Sequence, residues 1–176
     1  MKATGIIRRI DELGRVVIPK EIRRNLRIKD GENLEIFVEN NENIVLKKYS
    51  IIKGLEDFAQ DFTDAIHSFV KGNVIIADND NVLAVSGNLK KDLLNKNISE
   101  DLEEKISRRE EMIEKHKKKF KIVENKEIEC TYTISPIILN GDAVGTILII
   151  GTDENIEDDD FKIVKIASKF LNNHLS

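Results

Sequence analysis

Three observations predict an α+β chain made of two unlike parts. Residues 1–50 read as short strands around one short helix, and residues 51–176 run helix, hairpin, helices, hairpin, helix. Hairpins followed by helices, in place of a regular strand–helix alternation, point to antiparallel sheets with helices on a face. The charge also changes sign between the parts. Residues 1–29 carry nine basic and three acidic side chains, a net of +6, which leaves −10 for the remainder of a chain whose total is −4. A basic head on an acidic body is an asymmetry that points towards a nucleic-acid partner.

In the head, Ile6–Ile10 is β-rich and Val16, Val17 and Ile18 supply a second strand. Asp11–Gly14 between them reads as a turn, with Gly14 free to adopt a positive φ. Pro19 ends the strand and suits a first helical position, so a helix of about two turns follows, with Ile22 and Leu26 as its buried stripe. Asp30-Gly31 is a turn. Leu34, Ile36 and Val38 then alternate with Glu35, Phe37 and Glu39, as in a half-buried strand. Asn40-Asn41 turns the chain, and Ile44 to Lys48 returns as the hairpin partner. A domain of this size buries only about 60% of its unfolded surface. Obligate dimerisation is the expected remedy.

Residues 51–71 predict a long amphipathic helix. Leu55, Phe58, Phe62, Ala65 and Phe69 recur at spacings of three and four, which suits packing on the domain itself and pairing between subunits equally. Val74–Ala77 and Val82–Val85 flank the turn-rich Asp78-Asn79-Asp80-Asn81. Residues 88–127 are polar and mostly helical in composition. Ile128–Leu139 and Ala143–Ile150 form a second hairpin around Asn140-Gly141-Asp142. Asp158, Asp159 and Asp160 open a last helix, where negative charge suits the N-terminus. Its stripe is Phe161, Val164, Ala167 or Ser168, and Leu171.

Composition excludes several classes. No apolar run reaches the length of about 18 residues that crosses a bilayer, and Met1 to Ile10 lacks the pattern of a secretory signal, so the chain is expected in the cytoplasm, without a membrane partner. A single cysteine, Cys130, excludes an internal disulfide framework and cysteine-based zinc sites. There is no phosphate-binding GxxxxGK[ST] and no GxGxxG after a strand. His67, His116 and His174 lie far apart with no metal or catalytic context. Cys130 reads as a buried filler in a strand rather than a nucleophile, because no electropositive neighbour is apparent. No enzyme, cofactor or metal site is expected. The run Lys115, Lys117, Lys118, Lys119 and Lys121 follows a Glu-rich stretch and reads as a solvated helix face.

The head is different: six arginines lie within residues 8–27, with few acids beside them. Arginine's planar fork suits phosphates and guanine edges. Here the stretch Ile10-Asp-Glu-Leu-Gly-Arg-Val-Val-Ile-Pro-Lys-Glu-Ile-Arg-Arg24 is dense and unbroken. With its flanks it closely resembles the N-terminal DNA-binding domain of AbrB-type transition-state regulators, over about 50 residues. The whole layout resembles the sporulation regulators that follow such a head with a GAF domain. The resemblance implies a swapped-hairpin β-barrel formed by an intertwined dimer (residues 1–50), then a GAF-like antiparallel sheet with flanking helices serving sensing and oligomerisation (residues 51–176). It implies Arg8, Arg15, Arg23 and Arg24 as the DNA contacts, with Lys2, Arg9, Lys20 and Arg27 in support. It further implies a homo-tetramer on double-stranded DNA, acting as activator and repressor of forespore transcription. The NKxD signature of cyclic-nucleotide GAF domains has no counterpart, since Asn95-Lys96 and Asn125-Lys126 continue as Asn97-Ile98 and Glu127-Ile128. Whether a small molecule binds the second part stays open. The rival readings are an antitoxin and a ligand-sensing signalling protein whose head only dimerises.

Overall fold

The structure is a computed structural model. It describes residues 5–40, 42–49 and 56–175. Lys2, Asn41, Leu55 and the start of the expected helix over residues 51–71 therefore lie outside the described residues. The chain divides into two compact units, Met1–Tyr49 and Ser50–Ser176.

In the first unit, α1 (Lys20–Asn25) is followed by β1 (Leu34–Glu39) and β2 (Asn43–Lys48). Pro19 precedes the helix with φ −58° and ψ 147°, and a proline there sacrifices no helical N–H bond. The two strands pair antiparallel from Leu34 opposite Lys48 to Glu39 opposite Asn43. Two expectations fail. Residues 5–10 and 15–18 carry no strand, although Asp11 N–H donates to Arg15 O at 3.0 Å and closes the turn between them. An isolated two-stranded ribbon gains stability only when a face is buried, and Ile7 is 88% and Val17 71% exposed. The Ile22/Leu26 stripe and the alternating face of β1 likewise stay open: α1 buries no residue, and Leu26, Ile36 and Val38 are exposed. Pro19 is the only buried residue among the described residues of this unit.

The second unit is built in three layers. Its five-stranded sheet runs β4-β3-β7-β6-β5, with every neighbouring pair antiparallel. The strands are β3 (Asn73–Asp78), β4 (Val82–Ser86), β5 (Met112–Val123), β6 (Lys126–Leu139) and β7 (Asp142–Gly151). The helices are α2 (Glu56–His67), α3 (Lys90–Leu93), α4 (Glu100–Ser107) and α5 (Asp158–Leu175). Successive strand residues face opposite sides. Ile75, Leu148 and Ile150 accordingly join Leu93, Leu102 and Ile106 of α3 and α4 in one core. Val74, Ile76, Ile147 and Ile149 join Ala59 of α2 and Val164, Ala167 and Leu171 of α5 in the other. Burial on both faces explains the unbroken apolar runs Val74–Ala77 in β3 and Ile147–Ile150 in β7. The α5 stripe follows the expected spacing at Val164, Ala167, Ser168 and Leu171.

Residues 88–127 depart from their composition. Only α3 and α4 are helical, and the lysine run lies in the 12-residue strand β5, paired with β6. β5 is an edge strand, where exposed lysines discourage pairing with a further chain; such a sequence resembles a solvated helix. Its register slips between Glu114 and Lys118, which bends the edge further from a regular template. The segment between α3 and α4 spans the two sheet edges through isolated bridges, Asn81 with Asn97 and Ile98 with Val123. Ser99 caps α4, its hydroxyl accepting from Leu102 N–H at 3.1 Å.

On α2 the sheet contact falls one residue round from the expected stripe: Ala59 and Thr63 are buried. Phe58 and Phe62 stack on each other (5.7 Å) and against Phe170 of α5 (6.3 and 5.2 Å). Gln60 reaches the outer edge of β4. Its amide N–H donates to Val85 O at 3.2 Å, and its carbonyl accepts from Val85 N–H at 3.4 Å. The side chain thus pairs with an edge strand as another strand would.

Candidate nucleic-acid interface

The four arginines implicated by the sequence occupy three local settings. Arg8 lies in the segment before the turn and is exposed; among the described residues its guanidinium reaches the neighbouring Ile7 carbonyl, at 3.5 Å. Arg15 closes the turn. The Asp11 carboxylate accepts from Leu13 N–H (3.0 Å) and Arg15 N–H (2.8 Å) through one oxygen, and from Arg15 Nε–H (2.7 Å) through the other. Gly14 takes φ +75°, a conformation that costs glycine little and lets five residues reverse direction. The Arg15 backbone and side-chain donors hold the Asp11 carboxyl below the usual carboxylate range.

Arg23 and Arg24 share the last turn of α1, where cations complement the helix dipole. Arg23 is half-buried and makes an ion pair from Nη1 to Asp30, and its buried Nε has no hydrogen-bond partner among the described residues. Arg24 is exposed. Arg9 is exposed beside Arg8, Lys20 is exposed at the start of α1, and Arg27 is exposed just beyond the helix, where it takes φ 52°. Sequence reasoning read Asp11 and Asp30 only as turn residues and missed their part in holding arginines. For Asp11 a signal was available: an acid four residues before an arginine across a glycine turn.

The remaining candidates sit apart in the second unit. His67 ends α2, its Nδ1 3.0 Å from Gly72 O. His116 is exposed on the bulge of β5, 3.5 Å from Glu114. His174 stacks on Phe58 at 4.6 Å. Cys130 is buried, and burial pushes its thiol up to about 11. A polar cleft of about 290 Å³ opens at one end of the sheet, lined by His67, Asn73, Asn88, Thr152 and Glu154 among others. No helix of the described residues is long and apolar enough to cross a membrane.

With this geometry in hand, comparison with known proteins assigns the two parts. A family model described as the stage V sporulation protein T C-terminal, transcription factor, matches residues 54–176. A second, described as antidote-toxin recognition MazE, bacterial antitoxin, matches residues 7–53. Stage V sporulation protein T of Bacillus subtilis (strain 168) is 47% identical over 172 residues, covering 97% of both chains. The transition state regulatory protein AbrB of the same strain is 61% identical over 49 residues, which are 28% of this chain and 50% of that one. Among solved structures, the cofactor-binding GAF domain of the nutrient sensor CodY from Clostridium difficile aligns over 89% of this chain and 94% of its own. That alignment has 14% identity and a TM-score of 0.49. Similarity to one relative along nearly the whole length, and to that relative's C-terminal family model over residues 54–176, places the chain in the stage V sporulation protein T family of transcription factors.

Proposed function

We propose that two copies of the head interleave into one swapped-hairpin β-barrel that grips double-stranded DNA through Arg8, Arg15, Arg23 and Arg24 of each copy. The chain is then a DNA-binding regulator of sporulation genes, activator and repressor, acting in the forespore cytoplasm. One observation carries this reading. The stretch that holds the arginines also leaves Ile7, Ile10, Leu13, Val16 and Val17 exposed, and Pro19 alone is buried among the described residues of the head. So much apolar surface is stable in water only when covered, at about 25 cal/mol per Å². A second copy supplies the matching strands and doubles the +6 charge of residues 1–29.

The mechanism follows from what this head presents. Among the described residues it has one six-residue helix, too little for a helix-turn-helix. Arginines on a turn and a short helix reach phosphates and groove edges instead, so contacts set position more than sequence. A loose, A·T-leaning consensus and strong dependence on DNA shape follow. Residues 51–176 form a GAF-like sensor and oligomerisation domain without catalytic activity. Helices within 51–71 and 157–175 bundle between subunits into a tetramer, which the 86% exposure of Phe69 supports. A small molecule held by this domain shifts the spacing of the heads.

The antitoxin-type description of the head's second match favours one rival, in which the chain neutralises a toxin. Against it stands a second unit with two buried cores in place of a short toxin-wrapping tail. Titrating the full chain into labelled random duplex at low ionic strength, alongside native mass measurement, tests the proposal. Binding by a dimer or tetramer supports it. A lone protomer, or indifference to duplex DNA, overturns it, and co-purification of a small ribonuclease would establish the rival.

A further inference from the structure

Two acids pair with arginines of the proposed DNA-binding set, Asp11 with Arg15 and Asp30 with Arg23. We propose that Asp11 and Asp30 are positioning residues that preset the Arg15 and Arg23 guanidinium groups for the duplex, an inference that rests on the DNA-binding reading of the head.

The Asp11 carboxylate is itself held in place. One oxygen takes the Leu13 and Arg15 backbone N–H groups, at 3.0 and 2.8 Å. The backbone closes the same loop twice, Asp11 N–H to Arg15 O at 3.0 Å and Gly14 N–H to Asp11 O at 2.9 Å. Only the second carboxylate oxygen is left for the side chain, and it takes Nε–H of Arg15 at 2.7 Å. Arginine carries five N–H donors in a rigid plane. Engaging Nε leaves the two Nη groups at the far end, the edge that forks onto a phosphate or a guanine. Arg23 is held in the opposite sense, with Nε buried and Nη1 on Asp30.

Charge and geometry make opposite demands here. As bare charge, each carboxylate opposes the approach of a polyanion. As a clamp, each reduces the side-chain freedom that arginine loses on binding. An asparagine at position 11 separates the two effects. Its amide oxygen still accepts the Leu13 and Arg15 backbone N–H groups, while the ion pair with the guanidinium is lost. If electrostatics alone governed, Asp11→Asn would bind DNA more tightly.

The test uses the full chain and two probes: a duplex selected from a random pool by the wild-type chain, and an unselected duplex. Asp11→Asn should bind the selected duplex about tenfold more weakly, and the unselected duplex equally or more tightly. In an Arg15→Ala background Asp11→Asn should cause no further loss, because it acts through that guanidinium. Asp30→Asn should behave alike with Arg23→Ala as its background. With its side chain 93% exposed, Asp30 tolerates substitution and keeps the test decisive should Asp11→Asn unfold. Unchanged or tighter binding of the selected duplex by both variants overturns the inference. So does a loss that persists without the arginine. Failure of the wild-type chain to hold any duplex overturns the DNA-binding reading itself, and this inference with it.

Discussion

Arg24→Ala offers the sharpest test of how the head meets DNA. Arg15 and Arg23 already share their charge with Asp11 and Asp30. Arg8 and Arg24 are exposed and make no ion pair among the described residues. Of the four proposed contacts they are the two per copy whose charge no carboxylate shares among the described residues, which makes four full phosphate neutralisations per dimer. Counterion release then gives a slope of log K against log salt of roughly −3.6 for the wild-type chain. Removing Arg24 from both copies should flatten it to roughly −1.8. With the two chains binding alike at 1 M salt, where this electrostatic contribution vanishes, the slopes give a loss of about 30-fold at 0.15 M, growing to about 200-fold at 0.05 M. Fluorescence anisotropy of a labelled duplex, titrated across that salt range, reads both numbers from one data set. The fold should be indifferent, with a stability change within about 0.5 kcal/mol, since the side chain is exposed. Parallel log–log lines for variant and wild type would refute the reasoning, because Arg24 would then not be neutralising a phosphate.

Three further outcomes concern the second unit. Gln60→Leu strips the buried Val85 of partners for both its N–H and its C=O, and should lower stability to urea by about 2 kcal/mol; an unchanged midpoint would mean that solvent reaches this edge of β4. Cys130 should resist thiol reagents at pH 8 in the native chain and react once unfolded, because burial raises its pKa to about 11; rapid native labelling would contradict that burial. Hydrogen bonds from Lys126 to Asp92, and from Lys118 and then His116 N–H to Glu114, hold both carboxyls below their ordinary values. Their contribution to stability is therefore complete above the ordinary carboxylate range and is lost as pH falls through the lowered values. Unfolding followed from pH 6 downwards should show stability declining only on the acid side of about pH 4, less so in Asp92→Asn; an equal decline in that variant would dismiss the Asp92–Lys126 pair.

What could be read without coordinates was whatever has a short period or a local chemical cause. The basic head and acidic body are sums over neighbouring residues. The Asn140-Gly141 turn marked the β6–β7 hairpin, and the three aspartates with Val164, Ala167 and Leu171 marked α5, because turn geometry and helical periodicity are written into adjacent positions. The dense arginine stretch from Ile10 to Arg24 indicated the family before any fold was known. Tertiary structure decided the rest. Lys115 to Lys121 became an edge strand because β6 offered a ladder, and pairing with a partner distant in sequence outweighs local composition. The Phe58 stripe rotated off the sheet because Phe170 and His174, more than a hundred residues away, supplied rings to stack on. Val16 and Val17 form no strand inside one chain, since a strand's stability resides in the neighbour that covers it. That Asp11 and Asp30 grip arginines, rather than merely turn the chain, appeared only when backbone closure brought carboxylate and guanidinium within hydrogen-bond reach.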